Sequence, residues 1–487
     1  MRVAEDELAK MGVKLGPEWK RMAKAEGPRD QEPHLFVWRS GGKEAFAALL
    51  GNHLPPPLWA IRFARFAGDV DVADRAEAWF VFVAGDGQVR AVHHQLPEAR
   101  SGARLTREQA ANLAHEAVRQ WFGIEPAKLR LVSGRATNRP DRLDWEFIYS
   151  DPARAVPAGG EAYLQVDLAG DQVAARGRYV FVPESWTRER KATKDLSQLV
   201  TGIAGLAILL VLSAVVVLGI RRFARHEFSR RAALAGALAA LVYVAAQKLL
   251  GFEAAMAEGY DTTQPLTQQY LRDALLALAL GSVSALLGAM FAGVGVRAAS
   301  RAAPTAPSRI ALWRDALALS LLMSGAGALL RRLTPEPAPR FPNVREAGSW
   351  PVAGAALEAL DYLLACSAAL AVVALLASRT GWRAGLTAFA FALAGLILGA
   401  RTPDLSIATL ATSAALGAVS YWLYSRFVLF RLDLVPPLVL CLTLLGTLQA
   451  LLRPAYPGAA PAALVGMASL AAGYALWQWL VRKDRLP

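Results

Sequence analysis

Residues 199–220, LVTGIAGLAILLVLSAVVVLGI, form a stretch of 22 residues without a charged side chain. The hydrocarbon core of a bilayer is about 30 Å thick, so roughly 20 helical residues cross it. Only a helix or a closed barrel satisfies its own backbone hydrogen bonds in lipid, and this stretch lacks the apolar-polar alternation of a barrel strand. It therefore predicts a transmembrane helix.

Eight further apolar stretches follow before residue 481. Most are long enough to cross a bilayer, but residues 316–330 are short for a full span. We therefore expect an α-helical polytopic membrane protein with eight or nine transmembrane helices. The eight stretches are residues 232–250, 274–296, 316–330, 357–378, 384–400, 405–424, 434–452 and 459–481.

The charged residues divide the chain near residue 197. Residues 1–197 carry charges throughout, as a soluble domain does, whereas in residues 198–487 the arginines lie largely in the loops. The formal net charge of +13 is therefore mostly a signal of membrane topology. Nucleic-acid binding needs a basic soluble surface with stacking aromatic residues, so we expect a lipid bilayer and no nucleic acid as partner.

The charges of the loops predict the orientation. Residues 221–231 contain five arginines, whereas residues 251–273 contain one arginine and four acidic residues. Because positive loops stay in the cytoplasm, residues 1–197 are expected to be extracytoplasmic, in a protein of the bacterial inner membrane. Residues 1–12 contain no apolar signal segment, so we also expect the gene to encode an apolar helix or signal upstream of Met1.

The N-terminal domain follows one pattern twice, a helix and then several strands. In the second copy, residues 100–197, Thr106 and Gln109 predict a capping box for a helix that continues to Trp121. A hairpin turn is expected at Gly170-Asp171. The predicted strands are residues 128–133, 144–149, 162–168 and 172–182.

The first copy, residues 1–99, shows the same pattern less clearly. It predicts a helix at 5–11, and strands at 35–39, 58–66, 78–83 and from the turn Gly85-Asp86-Gly87 to Leu96. The turn and the ending agree between the copies, which gives an α+β domain of two repeats. Gly85-Asp86-Gly87-Gln88-Val89 leads to Leu96-Pro97-Glu98, and Ala169-Gly170-Asp171-Gln172-Val173 leads to Val182-Pro183-Glu184.

A helix on a small antiparallel sheet, present twice, resembles the PepSY-type domains found outside bacterial membranes. Three stretches in order also resemble the large bacterial members of the CPBP family of CAAX protease and bacteriocin-processing membrane proteins. The resemblance implies an intramembrane metalloprotease, in which paired glutamates polarise water and histidines hold a divalent ion. The stretches are Ser40-Gly41-Gly42-Lys43-Glu44-Ala45-Phe46, Phe181-Val182-Pro183-Glu184 with the basic run after it, and Gly259-Tyr260-Asp261-Thr262-Thr263.

The residues for that chemistry do not occur in this sequence. The chain has no Glu-Glu pair, and beyond residue 226 no imidazole can bind a metal. We therefore expect a pseudoenzyme without catalytic residues, metal ligands or cofactor. Cys366 and Cys441 fall in apolar stretches, where buried thiols are expected. The six histidines are His34, His53, His93, His94, His115 and His226.

Few polar side chains fall inside the apolar stretches. Glu358 and Asp361 share one helix face near the start of a span, and with Lys248 they are the candidates for an intramembrane polar site. His93 and His94 are neighbours on a strand and point to opposite faces, so we expect a surface pair and no metal site. Four tryptophans are predicted at the membrane interface: Trp382, Trp422, Trp477 and Trp479.

Three functions are compatible with these patterns. The leading interpretation is a non-catalytic, CPBP-like multi-spanning membrane protein whose outer domain binds a peptide or protein partner in a regulatory or scaffold role. The second is a transporter or permease subunit, with Glu358, Asp361 and Lys248 along its pathway. The third is a divergent intramembrane protease that uses carboxylates alone.

The predicted orientation can be tested with topology reporters. A reporter fused after Pro183 should show extracytoplasmic activity, and one fused after Arg225 should show cytoplasmic activity, because the arginine-rich loop stays inside. Alkaline phosphatase and green fluorescent protein fusions at both positions measure this. The opposite pattern at the two positions would reverse the topology.

Overall fold

The chain divides into two compact units. In the computed structural model the described residues are 1–27, 31–66, 74–302, 308–333, 339, 350–400, 407–454 and 458–485. The first unit comprises Met1–Arg188, Leu250–Ala274 and Ala338–Ser349. The second comprises Glu189–Leu249, Leu275–Pro337 and Trp350–Pro487.

The first unit is built on one antiparallel sheet of eight strands, in the order β1-β2-β3-β4-β8-β7-β6-β5. Its N-terminal elements are α1 (Arg2–Lys10), β1 (Lys20–Glu26), α2 (Glu32–Leu49), β2 (Leu58–Ala64), β3 (Ala78–Ala84) and β4 (Val89–Gln95). They are followed by α3 (Arg107–Ala117), β5 (Arg130–Asn138), β6 (Leu143–Ser150), β7 (Glu161–Ala169) and β8 (Gln172–Phe181).

Each half of the sheet packs one face on a helix. Ala4 and Leu8 of α1 pack with Ile61, Phe63 and Trp79. In the other half, Ala110 and Ala114 of α3 pack with buried residues that include Phe147, Tyr149, Val166 and Leu168. The predicted capping box is confirmed, because the Thr106 side chain accepts from Gln109 N and the Gln109 side chain accepts from Thr106 N.

Two local predictions in the first half were wrong. Residues 35–39, predicted as a strand, belong to α2, and residues 20–26 form the strand β1, which the sequence did not indicate. The period of a short apolar run does not show whether the run is a strand or a turn of buried helix. Here Pro33 in the first turn favours the helix. β1 has few residues of high β-propensity and is formed by its full-length pairing with β2.

The segment between two membrane helices also belongs to the first unit. Helix α6 (Phe252–Gly259) packs on β1 and β2, on the face opposite to α1. Along these strands, the residues that contact α6 alternate with those that face α1. Met256, Ala257 and Tyr260 are buried against Met22 and Ala64. The sheet is thereby covered on this face by residues that lie about 190 positions later in the chain.

Polar contacts hold α6 in register. Arg62 Nη1 donates to the carbonyl oxygens of Tyr260 at 2.8 Å and Met256 at 3.4 Å, at the C-terminal end of α6. Lys24 Nζ lies 3.1 Å from Glu258 Oε2, and Ala23 N donates to Glu253 Oε1. Burial lowers the pKa of Arg62, and nearby Asp261 opposes this shift. The charged form of the guanidinium is therefore stabilised by these carbonyl acceptors.

All nine predicted apolar stretches form helices where the structure describes them. The start of the stretch 405–424 lies outside the described residues. The corresponding helices are α4 (Glu184–Ala224), α5 (Arg230–Leu250), α7 (Leu266–Arg301), α8 (Arg309–Arg331), α10 (Glu358–Leu376), α11 (Gly381–Ala400), α12 (Ile407–Leu423), α13 (Val435–Leu452) and α14 (Ala459–Arg485). A short helix, α9 (Pro351–Ala356), precedes α10 and lies outside the predicted stretches.

Five helices of the described part are long and apolar enough to cross a membrane, which is consistent with a membrane protein. Large apolar side chains such as Leu206 and Leu286 are exposed on these and neighbouring helices, as lipid-facing residues are. Trp382, Trp422 and Trp479 are exposed, but Trp477 is buried in the helix core, so its predicted interfacial position is wrong. The five helices are α5, α7, Pro351–Leu376, α13 and α14.

The contacts of Arg62 lead to a stability prediction. Arg62→Met should release α6, because two carbonyl oxygens lose a charged donor whose bonds are worth about 1.5–3 kcal/mol. Amide hydrogen exchange of residues 252–260 in the full-length protein should become at least about tenfold faster.

The matched control is Arg21→Met on β1, whose exposed ion pair with Glu5 contributes little. Exchange in α6 should stay at the wild-type rate in this variant. Equal exchange rates in both variants would contradict the role assigned to Arg62.

Candidate functional site

A cavity of the first unit lies where the two halves of the sheet meet. β4 and β8 pair through only two residue pairs, Val92 with Arg176 and His93 with Ala175. Past these pairs the strands separate, and a cavity of about 500 Å³ is lined by Arg90 of β4, by residues 177–181 of β8 and by Val182 after it. The sheet thus opens a cleft at its centre, of a size typical for small-ligand sites.

The loop after α2 forms one wall of this cavity. Arg178 Nη1 donates to Asn52 Oδ1 at 2.5 Å, and Arg178 Nη2 donates to the carbonyl oxygen of Phe122 at 3.2 Å. His53, next to Asn52, lines the cavity and is only 1% exposed. Neither ring nitrogen of His53 has a hydrogen-bond partner in the described part of the chain. A buried imidazole and a fixed guanidinium therefore face the same space.

The remaining walls are mainly apolar. Leu58 and Phe82 line the cavity from the sheet, on the face that also carries the α6 contact residue Arg62. Pro55 and Val182 contribute further apolar surface. Glu26 and Glu32 also line it, and Glu26 is paired with Lys24 at 3.0 Å. The cavity therefore combines a basic region, an apolar surface and two carboxylates.

Burial determines the charge of His53. Burial lowers its pKa from 6.5 to about 4, the charge of Arg178 lowers it further, Asp151 opposes the shift and Arg154 adds to it. His53 is therefore neutral at pH 7. The positive charge of this part of the cavity comes mainly from Arg178, because Arg90 is ion-paired with Asp86.

The neighbouring histidines His93 and His94 point to opposite faces of β4, as predicted. The expected surface pair is wrong for His94, which is 7% exposed and stacks on Trp79 at 3.6 Å between ring centroids. Its Nε2 donates to Glu77 Oε1 at 2.9 Å. Burial raises the pKa of Glu77, but the bond from His94 and the charges of Arg100 and Arg65 outweigh it, so the pKa lies below its usual value. This cluster is a satisfied ion network.

The candidate intramembrane residues are only partly brought together. Tyr243 Oη on α5 donates to Asp361 Oδ2 on α10 at 3.3 Å, and Gln247 Nε2 donates to Tyr243 Oη at 3.2 Å. Glu358 lies one turn from Asp361 and faces Gly466 of α14. Lys248 is exposed on α5, and no hydrogen bond or ion pair of the described chain joins it to either carboxylate.

The described residues offer no group of three or more His, Cys, Asp or Glu side chains that could hold a metal ion. Cys366 and Cys441 are free and buried, as expected. No family model, curated protein or solved structure matches the chain. The assignment of function therefore depends on the geometry of the molecule alone.

Sequence reasoning missed the residues of the central cavity. His53 stands in Asn52-His53-Leu54-Pro55-Pro56-Pro57, which predicts only a turn. Arg178 was one arginine among many on a predicted strand. No spacing in the sequence relates these two residues, because the pairing of β4 with β8 is what places them together.

The lowered pKa of His53 predicts an acid-dependent loss of stability. The unfolded state binds a proton near pH 6.5 and the folded state only near pH 4, so the free energy of unfolding falls as the pH falls through this window. Between pH 7 and pH 5 this loss is about 2 kcal/mol in wild type and should be absent in His53→Gln.

Thermal unfolding followed by tryptophan fluorescence at both pH values measures the difference. His93→Gln, at an exposed position on β4, should retain the wild-type pH dependence. A His53→Gln protein with the full wild-type dependence would show that His53 is not responsible.

Proposed function

We propose that the protein is a non-catalytic, multi-spanning membrane protein whose outer domain binds a peptide or protein partner and acts as a regulator or scaffold. The central cavity is the observation that carries this proposal. It has the volume of a small-ligand site and contains the buried His53 without a hydrogen-bond partner in the described chain. Buried polar atoms are normally satisfied, and exceptions mark sites that bind or react.

The contacts of α6 support an extracytoplasmic position of the sheet domain. α6 belongs to the segment 251–273, so this segment and the sheet domain lie on the same side of the membrane. The arginine-rich segment 221–231 is separated from it by α5, one of the candidate spans. Since arginine-rich loops stay inside, the sheet domain lies outside.

Contacts within the second unit favour nine spans over eight. With nine crossings, the C-terminal ends of α4, α7, α10 and α14 lie on the cytoplasmic side, together with the start of α8 and the segment between α12 and α13. If α8 were re-entrant, the C-terminal ends of α10 and α4 would lie on opposite sides of the membrane. Three polar contacts agree with nine spans: Arg222 with Ala374, Arg297 with Asp484, and Arg431 with Asp315.

The strand order supports two repeats in the outer domain. β1 to β4 and β5 to β8 both follow a helix and form four antiparallel neighbouring strands, with α2 inserted between β1 and β2 in the first half, and the halves join through their last strands. This arrangement agrees with the proposed PepSY-like duplication. The three CPBP-like stretches occupy the kink of α2 at Gly42, the end of β8 and the turn after α6, which are structural positions and suit a relative without catalysis.

Helix α6 gives the proposed regulator a route to the membrane. It packs on β1 and β2 of the sheet that forms the cavity, and it is joined covalently to α5 and to α7. A partner that moves β1 or β2 would therefore act on the ends of two helices. No hydrolytic step is needed for such a role.

A photo-crosslinker placed at the cavity tests the proposed binding. Phe181 lines the cavity and is 38% exposed, so p-benzoylphenylalanine at this position should form discrete adducts with a peptide or protein in native membranes. Mass spectrometry of the adducts identifies the partner and shows whether it is intact.

Leu131 on β5, the strand at one edge of the sheet, is a matched control, since it is apolar and 45% exposed. It should give none of these adducts. The same adducts from both positions, or none from either, would contradict partner binding at the cavity, and a partner recovered only as cleaved fragments would contradict the non-catalytic role.

A further inference from the structure

We propose that the central cavity binds a single carboxylate carried by an apolar group, with Arg178, Arg90 and His53 around the carboxylate. This inference rests on the proposed function, because it gives the chemistry of what the outer domain binds. It is carried by three observations: donors without acceptors, an unneutralised arginine, and an apolar wall.

Several nitrogen atoms of the basic side chains lack acceptors, although Arg90 Nη2 donates to Asp86 Oδ2 and Arg178 has the two acceptors given above. The Nε atoms of Arg90 and Arg178 and both ring nitrogens of His53 are buried without a hydrogen-bond partner among the described residues. An arginine Nε can only donate, and a neutral imidazole has one N–H to donate. Each buried donor left without an acceptor costs about 1–3 kcal/mol. These nitrogen atoms are closed to solvent in the structure, so ligand oxygen atoms would satisfy them once the neighbouring side chains move.

The charge of Arg178 is available to a ligand. Arg176, two residues earlier on the same face of β8, is paired with Glu7 at 2.6 Å. Arg178 instead donates to two neutral acceptors, Asn52 Oδ1 and the carbonyl oxygen of Phe122. No described carboxylate forms an ion pair with it. A partly buried guanidinium with neutral partners favours a negatively charged ligand.

The rest of the cavity favours a ligand with one negative charge. Glu26, which is paired with Lys24, and Glu32 line the same space and reduce its positive potential, which disfavours a phosphate or a dicarboxylate. Leu58, Phe82 and Val182 give the ligand body an apolar surface. A volume of about 500 Å³ accommodates a short peptide end or a small aromatic acid. Both have the same chemistry, a monocarboxylate on an apolar group.

Calorimetric titration of the purified full-length protein tests the proposal. The probes are N-acetyl-alanyl-phenylalanine, its C-terminal amide, and phenylbutyrate. The free acids should bind at least about tenfold more tightly than the amide, because a charge-assisted bond contributes about 1.5–3 kcal/mol. Tighter binding of the dipeptide than of phenylbutyrate identifies a peptide end as the source, and the reverse order identifies a small organic acid.

Variants connect the binding to the cavity. Arg178→Gln and His53→Gln should each weaken binding of the free acids about tenfold or more, and Arg178→Lys should recover part of the affinity. Arg135→Gln, at an exposed position on β5, should bind as wild type does. Thermal unfolding of each variant without ligand verifies that it is folded, and His53→Gln keeps the test available if Arg178→Gln unfolds.

Equal affinity for the acid and the amide, no binding of either acid, or unchanged affinity in folded variants would overturn the proposal. These results are separable from the proposed function. Adducts at Phe181 without carboxylate binding would leave partner binding intact and reject the carboxylate, whereas carboxylate binding without adducts would support the site and reject a macromolecular partner.

Discussion

The packing of α6 on the sheet, centred on Arg62, is the interaction on which the rest of the first unit depends. The guanidinium lies 5.6 Å from the centre of the Phe80 ring and donates to the last carbonyl groups of α6. A buried cation requires such acceptors, because burial without them costs several kcal/mol. The contact therefore fixes residues 252–260 of the first unit to β1 and β2, and it covers a sheet face that would otherwise expose Met22, Ala64 and Phe80.

The cavity follows from a second constraint, the short ladder between β4 and β8. Two residue pairs join the halves of the sheet, so the strands can separate beyond Val92 and Arg176. Arg176 lies at the end of the ladder and has a carboxylate partner. Arg178 lies beyond the ladder and has no such partner among the described residues. The resulting basic pocket is the proposed ligand site, and its unsatisfied nitrogens are a cost that a bound anion would offset.

The membrane part combines two independent indications of topology. Arginines in the segment 221–231 predict the orientation from charge alone. Polar contacts such as that between Arg297 and Asp484 show which helix ends lie close together. The short stretch 316–330 left eight and nine spans open in the sequence, and the contact of Arg222 with Ala374 supports the proposed nine crossings.

The sequence by itself determined the nine apolar helices, the capping box at Thr106 and most strands of the first unit, because these depend on local periodicity and composition. It did not determine α2, β1 or the buried positions of Trp477 and His94, where a tertiary partner decides the outcome. The candidate polar residues Glu358 and Asp361 were recognisable as charges within apolar sequence. The cavity with His53 and Arg178 was not, because residues 125 positions apart become neighbours only when β8 pairs with β4 and the loop after α2 folds against it.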